Sequence, residues 1–160
     1  MKLKKLKLEK YTNEDFEKYF GLVSDESVMA QITERAIPID EAKVNYQKLL
    51  ERNGRHELFG SYKVFDDEYI GLGHVTVSED NPDEAEIGYM LLPNYWNKGY
   101  GTLIAGDLIE LAQRTNVKKL TAVIDPNNIP SRKILLKHGF TSEKVCEIGG
   151  LPGEIFGKFL

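Results

Sequence analysis

Residues 84–124 carry the feature that most limits what this chain can fold into. An alternating apolar stretch, Glu84–Leu92, ends at Pro93 and a turn bearing Gly99 and Gly101. Leu103, Ile104, Leu108, Leu111 and Ala112 then recur at helical spacing to about Thr115, and Lys119–Ile124 returns to β-branched residues. Strand, helix and strand in this order predict a right-handed crossover between two parallel strands of one sheet. The rest of the chain must build outward from that pair.

What flanks it is hairpin-like. Lys2–Lys10 reads as a first strand. Thr12-Asn-Glu-Asp15 reads as a helix N-cap before Phe16, Tyr19, Phe20 and Val23, and Glu26–Ile32 as a second short helix. Pro38 interrupts, and Asp40 is expected to cap a helix with Ala42, Tyr46, Leu49 and Leu50 on its apolar face, ending near Asn53-Gly54. Leu58–Phe65 and Tyr69–Val77 form a hairpin about Asp66-Asp67-Glu68. Within it, Gly71-Leu-Gly73 suggests a bulge or a close backbone contact. After the crossover, a loop through Pro130 leads to a helix over Ser131–His138. Two strands, Thr141–Ile148 and Ile155–Leu160, follow around a turn at 149–154. The fold class is therefore α+β (α/β three-layer), with one mixed central sheet of about seven strands and about four helices.

The 160 residues suit a single domain spanning 1–160. No stretch approaches the ~18 apolar residues of a membrane span, and Met1–Lys10 alternates Lys with Leu rather than forming an apolar leader. Cys146 is the only cysteine, so an intrachain disulfide is excluded and a cytoplasmic setting is expected. His56, His74 and His138 are too scattered for a zinc spacing, so no metal is expected. Residues 93–140 hold seven Lys/Arg against three acids, a balance of +4, which leaves −8 elsewhere in a chain of net charge −4. An anion-friendly segment on an acidic body favours a cationic second partner, unless both are ordinary solvated surface. Basic residues do not interleave with aromatics in a stripe, so neither nucleic acid nor a membrane is an expected partner.

The glycine turn adds chemistry. A turn carrying Gly99 and Gly101 at a helix start leaves several backbone N–H groups for an anion, assisted by the helix dipole. The common phosphate motifs do not fit. G-x-x-x-x-G-K-[ST] is absent, Ile104 stands where a dinucleotide fingerprint needs its third glycine, and no G-x-S-x-G elbow occurs.

A second landmark narrows the choice. Asn128-Ile-Pro-Ser131-Arg-Lys-Ile-Leu-Leu-Lys-His-Gly139-Phe140 matches an N-x-x-S…G-F pattern. With Ala85-Glu-Ile-Gly-Tyr-Met-Leu-Leu-Pro93 leading into Tyr95–Thr102, and the opening Leu6–Asp15, the chain resembles the GNAT acetyltransferase superfamily. Specifically it resembles the branch of RimJ/RimL-type ribosomal-protein N-terminal acetyltransferases and spermidine acetyltransferases. That resemblance spans essentially the whole chain. It implies acetyl-CoA as donor and a primary amine as acceptor. It places the pyrophosphate on Asn97–Thr102 and the pantetheine arm along Met90, Leu91 and Leu92, where the parallel pair splays apart. Asn128 and Ser131 fall near the cofactor thiol, and the charges of Lys133 and Lys137 suit its outer phosphate. Three positions depart from the family: Trp96 replaces a common Gln/Arg, Asn97 a common glycine, and Leu135 the tyrosine that serves many relatives as general acid.

Acetyl transfer requires a neutral amine, yet an alkyl amine of pKa ~10.4 is ~0.1% or less neutral at pH 7. Glu86 is the candidate base, since alternation places Glu86, Gly88 and Met90 on one face and Gly88 leaves a hollow beside the carboxylate. It competes with Glu154, Asp83 and Glu84, and with a plain solvent-facing role for Glu86 itself. A backbone N–H near Leu91 or Leu92 suits the oxyanion. Ser131 is a candidate donor to the leaving thiolate or simply a first-turn residue; Asn128 is a cofactor contact, a helix cap, or both. His74 reads as a packed strand histidine, Tyr62, Tyr89 and Trp96 as packing residues, and Cys146 as inert core. The acceptor groove is expected from residues 24–53 and 149–154. A protein N-terminus, a polyamine, an aminoglycoside or another small amine all remain open, as do a monomer or homodimer and an inactive acyl-CoA-binding module.

Overall fold

In the computed structural model, residues 5–30 and 32–160 are described. Seven strands form one sheet: β1 (Lys7–Lys10), β2 (Gly60–Asp66), β3 (Glu68–Val77), β4 (Glu84–Leu91), β5 (Lys119–Ile124), β6 (Thr141–Ile148) and β7 (Leu151–Phe159). Their order is β1-β2-β3-β4-β5-β7-β6, and only β4 and β5 are parallel. Five helices cover it: α1 (Phe16–Val23), the single turn α2 (Glu26–Met29), α3 (Ile39–Arg55), α4 (Tyr100–Gln113) and α5 (Ile129–Lys137). The crossover expected from Glu84 to Ile124 is therefore present, with α4 as its helix. The first strand begins later than expected, and Lys2–Lys4 lie outside the described residues.

Two apolar clusters separate the helices onto opposite faces. Ile104, Leu108 and Ala112 of α4 and Leu135 of α5 pack with Val75, Ala85, Ile87, Leu120 and Phe156 of the sheet. On the other face Tyr19, Leu22, Ala42, Tyr46 and Leu49 of α1 and α3 pack with Leu72 and Met90. Period-2 alternation along β4 produces both sets: Ile87 and Leu91 point one way, Met90 the other.

Several ends differ from the sequence reading, each for a local reason. Thr12 does not cap α1; Asp15 flanks the helix and its Oδ2 accepts from the Thr12 N–H and hydroxyl, each at 2.9 Å, while also pairing with Lys63 at 2.8 Å. Asp25 caps α2 through the N–H groups of Ser27 and Val28. Pro38, not Asp40, flanks α3, so Asp40 falls in the first turn, where its charge suits the helix dipole. α5 starts before Ser131 because Pro130, read as loop, is tolerated in a first helical turn. The expected loop at 149–154 shrinks to Gly149-Gly150. Both residues have positive φ (59° and 83°), so a two-residue turn suffices, and β7 begins at Leu151 opposite Ile148.

The parallel pair is short. Its register runs only through Glu84↔Lys119, Ala85↔Leu120 and Glu86↔Thr121, leaving β4 from Ile87 to Leu91 without a register partner on the β5 side. On its other side β4 stays paired with β3 as far as Gly71↔Leu91. Gly71 is required there, since a Cβ would lie 2.1 Å from the Met90 carbonyl oxygen.

Candidate active site

The turn after β4 is held from three directions. Trp96 Nε1 donates to the Leu91 carbonyl at 2.9 Å, closing the turn back onto the strand end. The Tyr95 hydroxyl donates to Glu68 Oε2 at 3.1 Å, and the Tyr100 hydroxyl donates to Asp66 Oδ2. Between these anchors Asn97 (φ 60°) and Gly99 (φ 86°) are left-handed. Nothing lies within 4 Å of a Cβ built on Gly99, so its glycine answers to the backbone angle rather than to crowding. Gly101 is different: a Cβ would come 2.9 Å from Ile134 and 3.3 Å from Tyr89, so its absence lets α4 sit against β4 and α5. The first α4 bond runs from Leu103 N–H to the Gly99 carbonyl, which leaves the Gly101 and Thr102 N–H groups at the head of the helix. The turn is thus held at both ends, with exposed, left-handed Asn97 and Gly99 leading into a helix start, an arrangement suited to an anion.

At the start of α5 the Asn128 side chain accepts from the Ser131 N–H at 3.3 Å, so Asn128 is a helix cap. Ser131 Oγ and the Tyr89 hydroxyl share a hydrogen bond at 3.4 Å beside Gly101, and burial raises the Tyr89 phenol above its ordinary pKa. Leu135, in the slot of the family tyrosine, is 3% exposed within the main core. Lys133 and Lys137 are exposed, one helical turn apart.

The opposite face of β4 floors a cavity of about 630 Å³ beneath α3. Its lining includes Glu86, Glu84 and Met90 of β4, His74 and Thr76 of β3, and Thr121 of β5, the last residue paired before β4 and β5 part. α3 is fixed above it by Asn53, whose carboxamide donates to the Ser61 carbonyl at 3.0 Å and accepts from the Ser61 N–H at 2.8 Å. Glu86 is open to the cavity, and desolvation by the surrounding walls raises its carboxyl above the usual value. The hollow expected at Gly88 is filled: a Cβ there would lie 2.5 Å from His74 Nε2. His74 is thus packed against Gly88 as expected, and it also forms part of the cavity lining. Burial first, then the charge of Arg52, hold its pKa down at about 4, so the imidazole is neutral at pH 7, with Nδ1 bonded to Thr76 Oγ1 at 3.1 Å. Only its position opposite Gly88 linked it to Glu86, and that register is not visible in the sequence.

Of the other acids, Glu84 shares the cavity with Glu86, whereas Glu154 and Asp83 lie outside it. Glu154 is 3% exposed and locked by Ser142, Arg132 Nε (3.1 Å) and Arg132 Nη2 (3.4 Å), and the Ser142 hydrogen bond leads in holding its pKa down. Asp83 pairs with Lys118 at 3.8 Å outside the cavity. The Leu92 N–H donates to the Ile70 carbonyl at 2.9 Å, so it and Met90, two residues back, address β3; Leu91 and Tyr89 face the open seam. Cys146 is half-buried on the edge strand β6, not in the core. Among the described residues no group of three His, Cys, Asp or Glu is placed to hold a metal, and no helix is long and apolar enough to cross a membrane.

The family model described as an acetyltransferase (GNAT) domain matches residues 5–141, and the chain belongs to that family of N-acetyltransferases. Among curated relatives, the uncharacterised N-acetyltransferase YnaD of Bacillus subtilis is 28% identical over 142 residues, covering 88% of this chain and 81% of that protein. YoaA of the same organism is 25% identical, covering 84% and 72%. The fold is also that of a GNAT-family acetyltransferase from Bacillus anthracis (TM-score 0.80, 20% identity, 99% and 96% covered). It is shared by the aminoglycoside acetyltransferase AAC(6')-Ib in complex with coenzyme A (TM-score 0.81, 18% identity, 96% and 94% covered).

Proposed function

We propose that this protein transfers the acetyl group of acetyl-CoA to a primary amine by direct attack in a ternary complex, in the manner of the RimJ/RimL-type branch. One observation carries the reading: β4 and β5 part immediately after Glu86↔Thr121, so the seam that begins at the glycine turn opens into the cavity holding Glu86. The residues present fit the cofactor. The nest of Asn97, Lys98, Gly99, Tyr100, Gly101 and Thr102 suits the pyrophosphate, the free edge of β4 at Tyr89 and Leu91 suits the pantetheine amides, and Lys133 and Lys137 suit the outer phosphate. Ser131 reaches β4 through the Tyr89 hydroxyl, and Asn128 caps the same helix start, which suits both to the cofactor side. Bound acetyl-CoA supplies an activated acetyl thioester.

The chain's own groups do the rest. Glu86 accepts the ammonium proton, directly or through a water; its raised carboxyl pKa brings it closer to the working pH of a general base. Of the two N–H groups that face the seam, Tyr89 and Leu91, one stabilises charge on the carbonyl oxygen while the other holds the pantetheine arm. Ser131, backed by the proton-holding Tyr89 hydroxyl 3.4 Å away, donates to the departing sulfur in place of the missing tyrosine at Leu135. The test follows free thiol while amines are offered with acetyl-CoA, alongside thermal stabilisation by CoA. Turnover on a primary amine is expected. Stabilisation without turnover on any amine points instead to an acyl-CoA-binding module, and no stabilisation rejects both.

A further inference from the structure

The charges around the cavity are sorted by wall. Asn45, Lys48 and Arg52 recur on one side of α3, while Glu84 and Glu86 come from β4. Among the described residues none of these four charged groups has an ion-pair partner within 4.0 Å, whereas Arg35 pairs with Glu41 at 2.7 Å and Lys63 with Asp15 at 2.8 Å. A cationic wall thus faces an acidic one with neither neutralised by the protein.

A polycation entering this space would set its second ammonium against Lys48 and Arg52, and a simple anion would meet Glu84 and Glu86. The acidic balance of the chain outside 93–140 favours a cationic acceptor, but the α3 wall reverses that locally. Arg52 also acts on His74, which lies opposite Gly88, one same-face step beyond Glu86. That step is about 7 Å. The volume of about 630 Å³ is of small-molecule size.

Resting on the acetyltransferase reading above, we infer that the acceptor is a small zwitterionic amine: its primary amine lies beside Glu86 and its carboxylate or phosphate against Lys48, Arg52 and Asn45. The experiment pairs L-amino acids, 4-aminobutyrate and phosphoethanolamine with their neutral counterparts (amino-acid amides, butylamine and ethanolamine). Spermidine, kanamycin and a free-amine tetrapeptide complete the panel. Both acetyl transfer and calorimetric binding to the CoA-saturated protein are read. At least one anionic member is expected to exceed its neutral counterpart by tenfold or more in kcat/KM, and the carboxylate and phosphate arms tell the two anions apart. Arg52→Gln and Lys48→Gln, both on the exposed helix surface, should each raise KM and Kd for that member roughly ten- to a hundredfold. CoA binding should be unaffected, and the neutral counterpart should lose several-fold less than the anionic member. The inference is overturned if spermidine, kanamycin or the tetrapeptide is preferred, or if neither substitution changes the preference. Loss of CoA binding in the unaltered protein would instead remove the acetyltransferase reading itself.

Discussion

The two faces of the sheet are organised on different principles. On the α4–α5 face the pyrophosphate and pantetheine part of the proposed donor site is made of main chain: a left-handed Asn97 and Gly99, a helix start at Tyr100, and a strand edge vacated by β5. On the α1–α3 face the proposed acceptor site is made of side chains: Glu86, His74, Lys48 and Arg52 around a cavity. A main-chain site tolerates changes of side chain but not of backbone angle. A side-chain site behaves in the opposite way. Substitutions on the two faces should therefore separate donor binding from acceptor chemistry.

The largest effect is expected at Glu86. Glu86→Gln keeps the shape and removes the proton acceptor, so kcat should fall by about a hundred- to ten-thousandfold, with KM for acetyl-CoA little changed. In the unaltered enzyme the acidic limb of the kcat profile should lie above that of an ordinary glutamate, because desolvation raises Glu86; the variant should lack that limb. A loss shared equally between kcat and acetyl-CoA affinity would break the division between the faces.

His74 tests the same face through stability. Its folded pKa of about 4 lies below the unfolded value of ~6.5, so the unfolded chain binds more protons between those limits. The stabilisation from keeping the ring neutral is full above pH 6.5 and is lost as pH falls towards 4. Between pH 7 and pH 5 this amounts to about 1–2 kcal/mol, taken low because the ring lines an open cavity. Glu86 acts in the other direction, since its raised pKa favours the folded state as the pH drops, so both proteins compared should retain it. Urea unfolding of His74→Gln should show a pH 7 to pH 5 decrease smaller by about that amount than the unaltered chain. An unchanged decrease would mean that the imidazole is charged in the cavity.

The same division governs what was legible in the sequence. β5 matches its expected bounds and β4 comes within one residue, because apolar alternation and the glycine turn are local signals. The Gly71 close approach was likewise expected from a glycine inside a strand, and the Met90 carbonyl accounts for it. Ends set by exceptions were missed: Pro130 inside the first turn of α5, and Gly149-Gly150 closing so tightly that Pro152 and Gly153 join β7. The cavity was legible at Glu86 and Glu84 and, as a stretch without chosen residues, in the acceptor groove expected from 24–53. Asn45, Lys48 and Arg52 have the spacing of any solvated helix face, and only the placement of α3 over β3 and β4 turns them into a wall. His74 was read correctly as packed, but its place in the cavity lining was not legible, since cross-strand register alone sets its ring over Gly88.

Gly99→Val is the smallest of these effects and bears on the other face. The position is open, with nothing within 4 Å of a new Cβ, so a clash cannot be the cause of any loss. The strain lies in the angle: φ is 86°, where a β-branched residue costs roughly 1–2 kcal/mol or shifts the turn. The anchors at Trp96, Tyr95 and Tyr100 hold both ends of the turn, so relaxation should occur between them and disturb the nest rather than the fold. CoA affinity should drop about ten- to thirtyfold by calorimetry, with thermal stability lowered by only a few degrees. Binding of a preferred amine to the variant saturated with CoA should be unchanged. If affinity for CoA holds while amine binding falls, the turn serves the acceptor face and the assignment of the two sites is reversed.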